Sequence, residues 1–171
     1  KGKAGNHFMI NGINVGTNDF TIKTRMNITA LISNGGSSCY LFGLGKADDA
    51  LGNVKDVKEP YFNVSFKLGD DKNRVRFVVN SKVNEKNSDA QVLYLPYGEW
   101  IDVMVIRNAN TLTLVITEVD SGVTQENAIT LLSTESVNFT SNCDLAFTGY
   151  LGCQNGSPDN HVYYDEIQVY D

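Results

Sequence analysis

Arg25 and Arg76 offer the most specific chemistry in this chain, because a guanidinium fork pairs bidentately with a carboxylate and suits an acidic sugar such as sialic acid or a uronate. Sugar recognition needs hydrogen-bonding side chains held on a rigid sheet, together with a flat apolar surface for the C–H face of the ring. If the strands carrying Arg25, Asn63, Arg76 and Asp102 are neighbours, their polar faces form one platform, with Tyr40, Tyr61 or Tyr97 at its rim. A shallow platform making a few hydrogen bonds gives an affinity on the order of 10⁻³ to 10⁻⁵ M.

Other chemistries find less support. Glycoside hydrolysis with retention needs two carboxylates about 5 Å apart, and no E-x-D-x-x-E arrangement occurs. Glu118 and Asp120 adjoin Ser121-Gly122 and read as a solvated turn. Asp165 and Glu166 are adjacent, so a regular strand sends them to opposite faces. His7 and His161 are the only histidines, and neither lies in a nucleophile motif. A P-loop and a dinucleotide fingerprint are both missing. The chain therefore reads as noncatalytic. Ca²⁺ takes six to eight oxygen ligands; Asp48-Asp49, Asp70-Asp71 and Asp159-Asn160 carry such oxygens without EF-hand spacing and read as solubilising turns.

The elements that must position these residues are strands. In Asp19 to Met26, period two puts Phe20, Ile22 and Met26 on one face and Thr21, Lys23 and Arg25 on the other. Tyr61 to Lys67 sets Phe62, Val64 and Phe66 against a solvent side of Asn63, Ser65 and Lys67. Arg74 to Val79 returns after the turn residues Gly69 to Asn73, predicting a hairpin. Trp100 to Arg107 and Thr111 to Thr117 form a second hairpin across Asn108-Ala109-Asn110, and Leu145 to Leu151 and His161 to Tyr170 complete the set. Gly45 to Pro60, Asn80 to Tyr97 and Gly152 to Asn160 read as polar connections. Evenly spaced strands without crossover helices predict an all-β fold, a two-sheet antiparallel β-sandwich of jelly-roll type, in one domain over residues 1–171.

Composition narrows the partners. A net charge of -6 and a pI near 4.8 argue against nucleic acid and anionic membranes, which are bound through Lys and Arg. No apolar run approaches the roughly 20 residues of a membrane span, so membrane insertion is not expected. The start Lys1-Gly2-Lys3, with no initiator Met or secretory h-region, suggests a processed product or a module cut from a larger protein. Cys39, Cys143 and Cys153 lack zinc-like spacing. If Leu145 to Leu151 is a strand, Cys143 and Cys153 lie roughly 30 Å apart, so any disulfide involves Cys39; free thiols are the other reading.

Gly5 to Ile10 followed by Asn18-Asp19-Phe20-Thr21-Ile22 resembles the opening of laminin-G-like and other concanavalin A-like lectin/glucanase domains. Glu99-Trp100-Ile101-Asp102-Val103-Met104-Val105 with Leu112 to Ile116 is similar to the W-x-x-V-x-V hairpin of that superfamily, and Tyr164 to Tyr170 to its closing strand. The small-Phe-x-Gly step usual before that strand is replaced by Asn155 to His161. The resemblance covers nearly the whole chain in order, in short degenerate pieces. It implies a carbohydrate-binding module of a larger secreted or cell-surface glycan-active protein, probing poly- or oligosaccharide on a sheet face or loop rim and tethered to a catalytic domain. Asp165 matches a position where related jelly-roll modules ligate a structural calcium. Two rival expectations remain: a laminin-G-like protein-binding or adhesion domain, and a glycan hydrolase or lyase.

Overall fold

The computed structural model describes residues 7–28, 38–45, 61–67, 74–80, 85–87, 93–96, 98–131, 139, 143–148 and 162–171. The regular elements there are all strands: β1 (His7–Ile13), β2 (Phe20–Ile28), β3 (Ser38–Gly45), β4 (Tyr61–Lys67), β5 (Arg74–Asn80), β6 (Glu85–Asn87), β7 (Leu93–Tyr94), β8 (Trp100–Asn108), β9 (Thr111–Glu118), β10 (Thr124–Thr130), β11 (Cys143–Thr148) and β12 (Val162–Tyr170). Among the described residues no helix is long and apolar enough to cross a membrane.

Two antiparallel sheets result. The seven-stranded sheet runs β1-β11-β3-β4-β5-β6, with β7 also on β5; the five-stranded sheet runs β10-β9-β8-β2-β12. Their facing sides form the core. From β2 and β8 it takes Phe20, Ile22, Met26, Ile101, Val103 and Val105; from β4 and β5 it takes Phe62, Val64, Phe77 and Val79. Phe62 is the hub, its ring centroid 6.1 Å from both Phe77 and Phe139, 6.3 Å from Phe20 and 6.4 Å from Phe42. Aromatic pairs at such spacings add to the burial term, which is about 1.5–3 kcal/mol for a large apolar side chain.

Polar links join the sheets at their margins. The Tyr164 hydroxyl on β12 donates to the Leu41 carbonyl on β3 at 2.7 Å. Gln125 on β10 acts as a strand mimic toward β7, accepting from Tyr94 N–H and donating to Tyr94 C=O, each at 3.1 Å. At the β8–β9 turn Ala109 adopts φ +50°, and its N–H donates to Asp19 Oδ1 at 2.6 Å. The buried Arg107 guanidinium donates to the carbonyls of Ala109 and Gly16, tying that turn to the β1–β2 connection.

The all-β sandwich expected from period two is therefore present, with corrections. The 80–97 connection contains β6 and β7. The strand read as 145–151 is described over Cys143–Thr148, which puts Cys143 inside the strand and buried, while 149–151 lie outside the described residues. Cys153, the 69–73 turn, His161 and the paired acids at 48–49, 70–71 and 159–160 lie outside the described residues, as do the side chains of Cys39 and His7. β4 is the largest correction. Its supposed solvent side is buried, with Tyr61, Asn63 and Ser65 as inaccessible as Phe62 and Val64.

Candidate functional site

Arg25, Asn63, Arg76 and Asp102 do not share a platform. Arg25 on β2 and Asp102 on β8 are partners in the five-stranded sheet, whereas Asn63 on β4 and Arg76 on β5 belong to the seven-stranded one. The expected single surface is two surfaces, on opposite sides of the sandwich.

On the five-stranded sheet the outward positions form cross-strand rows. Register gives Asp165–Arg25–Asp102–Thr117–Thr124 in one row, and Tyr163–Asn27–Trp100 in the row beside it. Arg25 is fully engaged along its fork: Nε donates to Asp102 Oδ1 at 2.7 Å and Nη2 to Oδ2 at 3.2 Å, while Nη1 reaches Glu166 Oε1 at 3.4 Å. Lys23 Nζ stands 3.3 Å from Asp102 Oδ2. The hydrogen bond from Arg25 holds the Asp102 carboxyl below the usual carboxylate range, against its partial burial and with help from Lys23. The same bond raises Arg25 above its ordinary value. A guanidinium already clasped by two carboxylates has little left for an acidic sugar.

Asp165 and Glu166 do not point to opposite faces. Asp165 pairs with Arg25 and Gln168 with Lys23, so Glu166 and Ile167 together oppose one residue of β2. This is a bulge, built on Glu166 at φ +50° and closed by the Glu166 N–H donating to Asp165 Oδ1 at 2.8 Å. It leaves both carboxylates exposed and returns Ile167 to the core. Calcium would meet two carboxylates here with a guanidinium facing them, and among the described residues no group of three acidic, His or Cys side chains could hold a metal. The described residues alone do not assemble six to eight oxygens.

On the seven-stranded sheet, register places Ala146, Gly43, Asn63, Val78 and Asn87 in one row and Tyr40, Ser65 and Arg76 in the next. Gly43, buried like its neighbours, is the register partner of Asn63 and puts no side chain beside it. Asn63 is 2% exposed, and its Oδ1 has no hydrogen-bond partner. Tyr40 and Arg76 are placed by backbone alone, and Tyr97 lies outside the described residues. Glu118, on the five-stranded sheet, accepts from the Ser121 hydroxyl, in keeping with a turn.

Sequence reasoning passed over Asn27, Trp100 and Tyr163. The period-two pattern that put Asp102 outward also puts Trp100 outward, and that signal was available. Missing was the order of strands, without which Trp100 and Tyr163 cannot be seen to flank Asn27.

No family model matches the chain, and no curated protein matches it in sequence. Solved structures do match it in shape. The alginate lyase from Klebsiella pneumoniae superposes at TM-score 0.56 and 13% identity, over 90% of this chain and 60% of the lyase. The fold is the concanavalin A-like β-sandwich. The LG1-3 region of the laminin α2 chain (TM-score 0.59, 15% identity, 95% of this chain and 29% of that one) shares it. So does basic winged bean lectin, solved with Tn-antigen (0.59, 12%, 88% and 68%). The chain spans about a fifth of the phage CBA120 tailspike chains that it also matches. A lyase, a laminin region and a lectin on one fold show that the fold does not choose among their functions.

Proposed function

We propose that this chain is a noncatalytic carbohydrate-binding module of a larger secreted or cell-surface protein active on glycans, with its ligand on the outer face of the seven-stranded sheet. One observation carries the reading. Asn63 Oδ1 is sealed from solvent without a donor, which costs about 1–3 kcal/mol. Such an unmatched acceptor calls for a donor, and a ligand that reaches this face would supply one. A sugar hydroxyl is a donor of the right kind, and Ser65 and Tyr61 lie on the same face of β4. Tyr40 and Arg76, adjacent in register to Ser65, are the further ligand residues of this reading. The lectin and lyase likenesses are compatible with it, and tethering to a catalytic domain would raise the local concentration of substrate.

The test is binding to a panel of neutral and acidic glycans, by array and then by calorimetry, with and without a chelator. Binding to one sugar class in the range of about 10⁻³ to 10⁻⁵ M, lost in Asn63→Leu while the fold persists, supports the module. Loss of binding on chelation would support a bound calcium, with Asp165 as the candidate ligand. Turnover of a labelled oligosaccharide would overturn the noncatalytic reading in favour of a hydrolase or lyase. A second reading, a laminin-G-like adhesion domain, is favoured by edge strand β1, where Phe8 and Ile10 are 39% and 37% exposed. A blank glycan panel moves the weight there.

A further inference from the structure

The outer face of the five-stranded sheet carries an aromatic pair that the ion cluster does not use. Trp100 on β8 and Tyr163 on β12 are both register partners of Asn27 on the intervening β2. They are 39% and 52% exposed, and two strand spacings set their backbones about 9.5 Å apart. Asn27 between them donates from Nδ2 to the Gly98 carbonyl at 3.1 Å.

Charge around this row is unbalanced. The cations Lys23 and Arg25 are committed to Asp102 and Glu166. Two exposed carboxylates form no ion pair within 4.0 Å among the described residues: Glu99, next in sequence to Trp100, and Asp165, two residues along from Tyr163, which acts on Arg25 only at longer range. Ring faces and surplus carboxylates together attract a cation and repel an anion. The ring faces also accept the apolar C–H surface of a pyranose.

The geometry points to a second glycan subsite on this face, selective for protonated amino sugars, with Trp100 and Tyr163 as the stacking surfaces and Glu99 and Asp165 as the counter-charges. The inference rests on the carbohydrate-binding reading of the chain but not on Asn63, which lies on the opposite sheet.

Calorimetry on chelator-treated protein with a glucosamine tetramer and with its fully N-acetylated counterpart tests it. The free-amine tetramer is expected to bind at least tenfold more tightly, with Trp100→Ala and Tyr163→Ala each removing at least tenfold of that affinity. The double substitution Glu99→Gln, Asp165→Asn should erase the preference for the free amine while the thermal melt stays cooperative. Equal binding of the two tetramers, no binding of either, or binding unaffected by Trp100→Ala in a folded variant would overturn the proposal. Tighter binding of an oligolysine peptide than of the glucosamine tetramer would also overturn it, since the face would then take a protein. A neutral glycan that still binds wild-type protein and is lost only in Asn63→Leu separates failure here from failure of the module reading.

Discussion

On β2 the outward side chains Lys23, Arg25 and Asn27 remain half-buried, whereas on β4 the outward Tyr61, Asn63 and Ser65 are buried as completely as the core residues behind them. Both strands have the same alternation of apolar and polar residues. On the five-stranded sheet the polar side stays in contact with water, and its cations are paired there: Arg25 with Asp102 and Glu166, Lys23 with Asp102. On the seven-stranded sheet the polar side is enclosed, and Asn63 Oδ1 keeps the full cost of lost hydration. Alternation says which side chains share a face. It does not say whether that face is wet.

The largest effect should come from removing the enclosed acceptor. Asn63→Leu, close to isosteric, is expected to raise unfolding stability by up to about 1–3 kcal/mol, read from denaturant midpoints, because it deletes the unpartnered Oδ1, less whatever the lost Nδ2 donor contributes. The same substitution should abolish glycan binding, a trade expected where a site is maintained at the expense of stability. A destabilised Asn63→Leu would mean that Oδ1 has a donor or that Nδ2 contributes more than Oδ1 costs, and that the two faces differ less than argued.

Asn27→Leu on the open face sharpens the contrast. Asn27 Oδ1 is also without a partner, but its Nδ2 bonds to the Gly98 carbonyl. Loss of that bond, worth about 0.5–1.5 kcal/mol, offsets the gain from removing the oxygen. The expected net change is within about 1 kcal/mol of zero, measured in the same denaturant series.

Asp102 marks the open face by its response to pH and salt. Its folded pKa is depressed, first by the hydrogen bond from Arg25, so its contribution is present above the ordinary carboxylate value of about 3.9 and is lost as pH falls through the folded value. Asp102→Asn should therefore lower stability at neutral pH and converge with wild type in acid. The difference should also shrink at high salt, because the cluster is solvent-facing. Equal differences at all pH values would show that Asp102 acts through packing rather than charge.

Much of the sandwich was legible because β2, β4, β5, β8, β9 and β12 alternate apolar and polar residues. β10 was not. Its inward positions are Gln125, Asn127 and Ile129, two of them amides, with Gln125 turned to the β7 backbone. β3 was hidden for the opposite reason: Leu41, Phe42, Gly43, Leu44 and Gly45 are all buried, so no alternation exists to be read. In the candidate sites, residue type announced Arg25, Asn63 and Asp102, but sheet membership depends on long-range pairing that local pattern does not encode. Nor did anything at Glu166 signal a positive φ, since a glutamate there carries none of the usual turn chemistry.

Backbone strain gives the smallest and finest comparison, because Ala109 and Glu166 are the non-glycine residues with positive φ among the described residues, one in the β8–β9 turn and the other in β12 of the same five-stranded sheet. A left-handed residue with a Cβ costs about 1–2 kcal/mol, partly offset because glycine also loosens the unfolded chain. Ala109→Gly should therefore stabilise by about 0.5–1 kcal/mol, while the Asp19 bond to its N–H keeps the turn in place. Glu166→Gly brings the same backbone relief but deletes the carboxylate that meets Arg25 Nη1, so its gain should be smaller and should grow toward that of Ala109→Gly as salt screens the pair. If Glu166→Gly instead stabilises as much as Ala109→Gly at low salt, the bulge exists to present Asp165 alone. A loss of stability at every salt concentration would show that Glu166 holds the edge strand to the sheet.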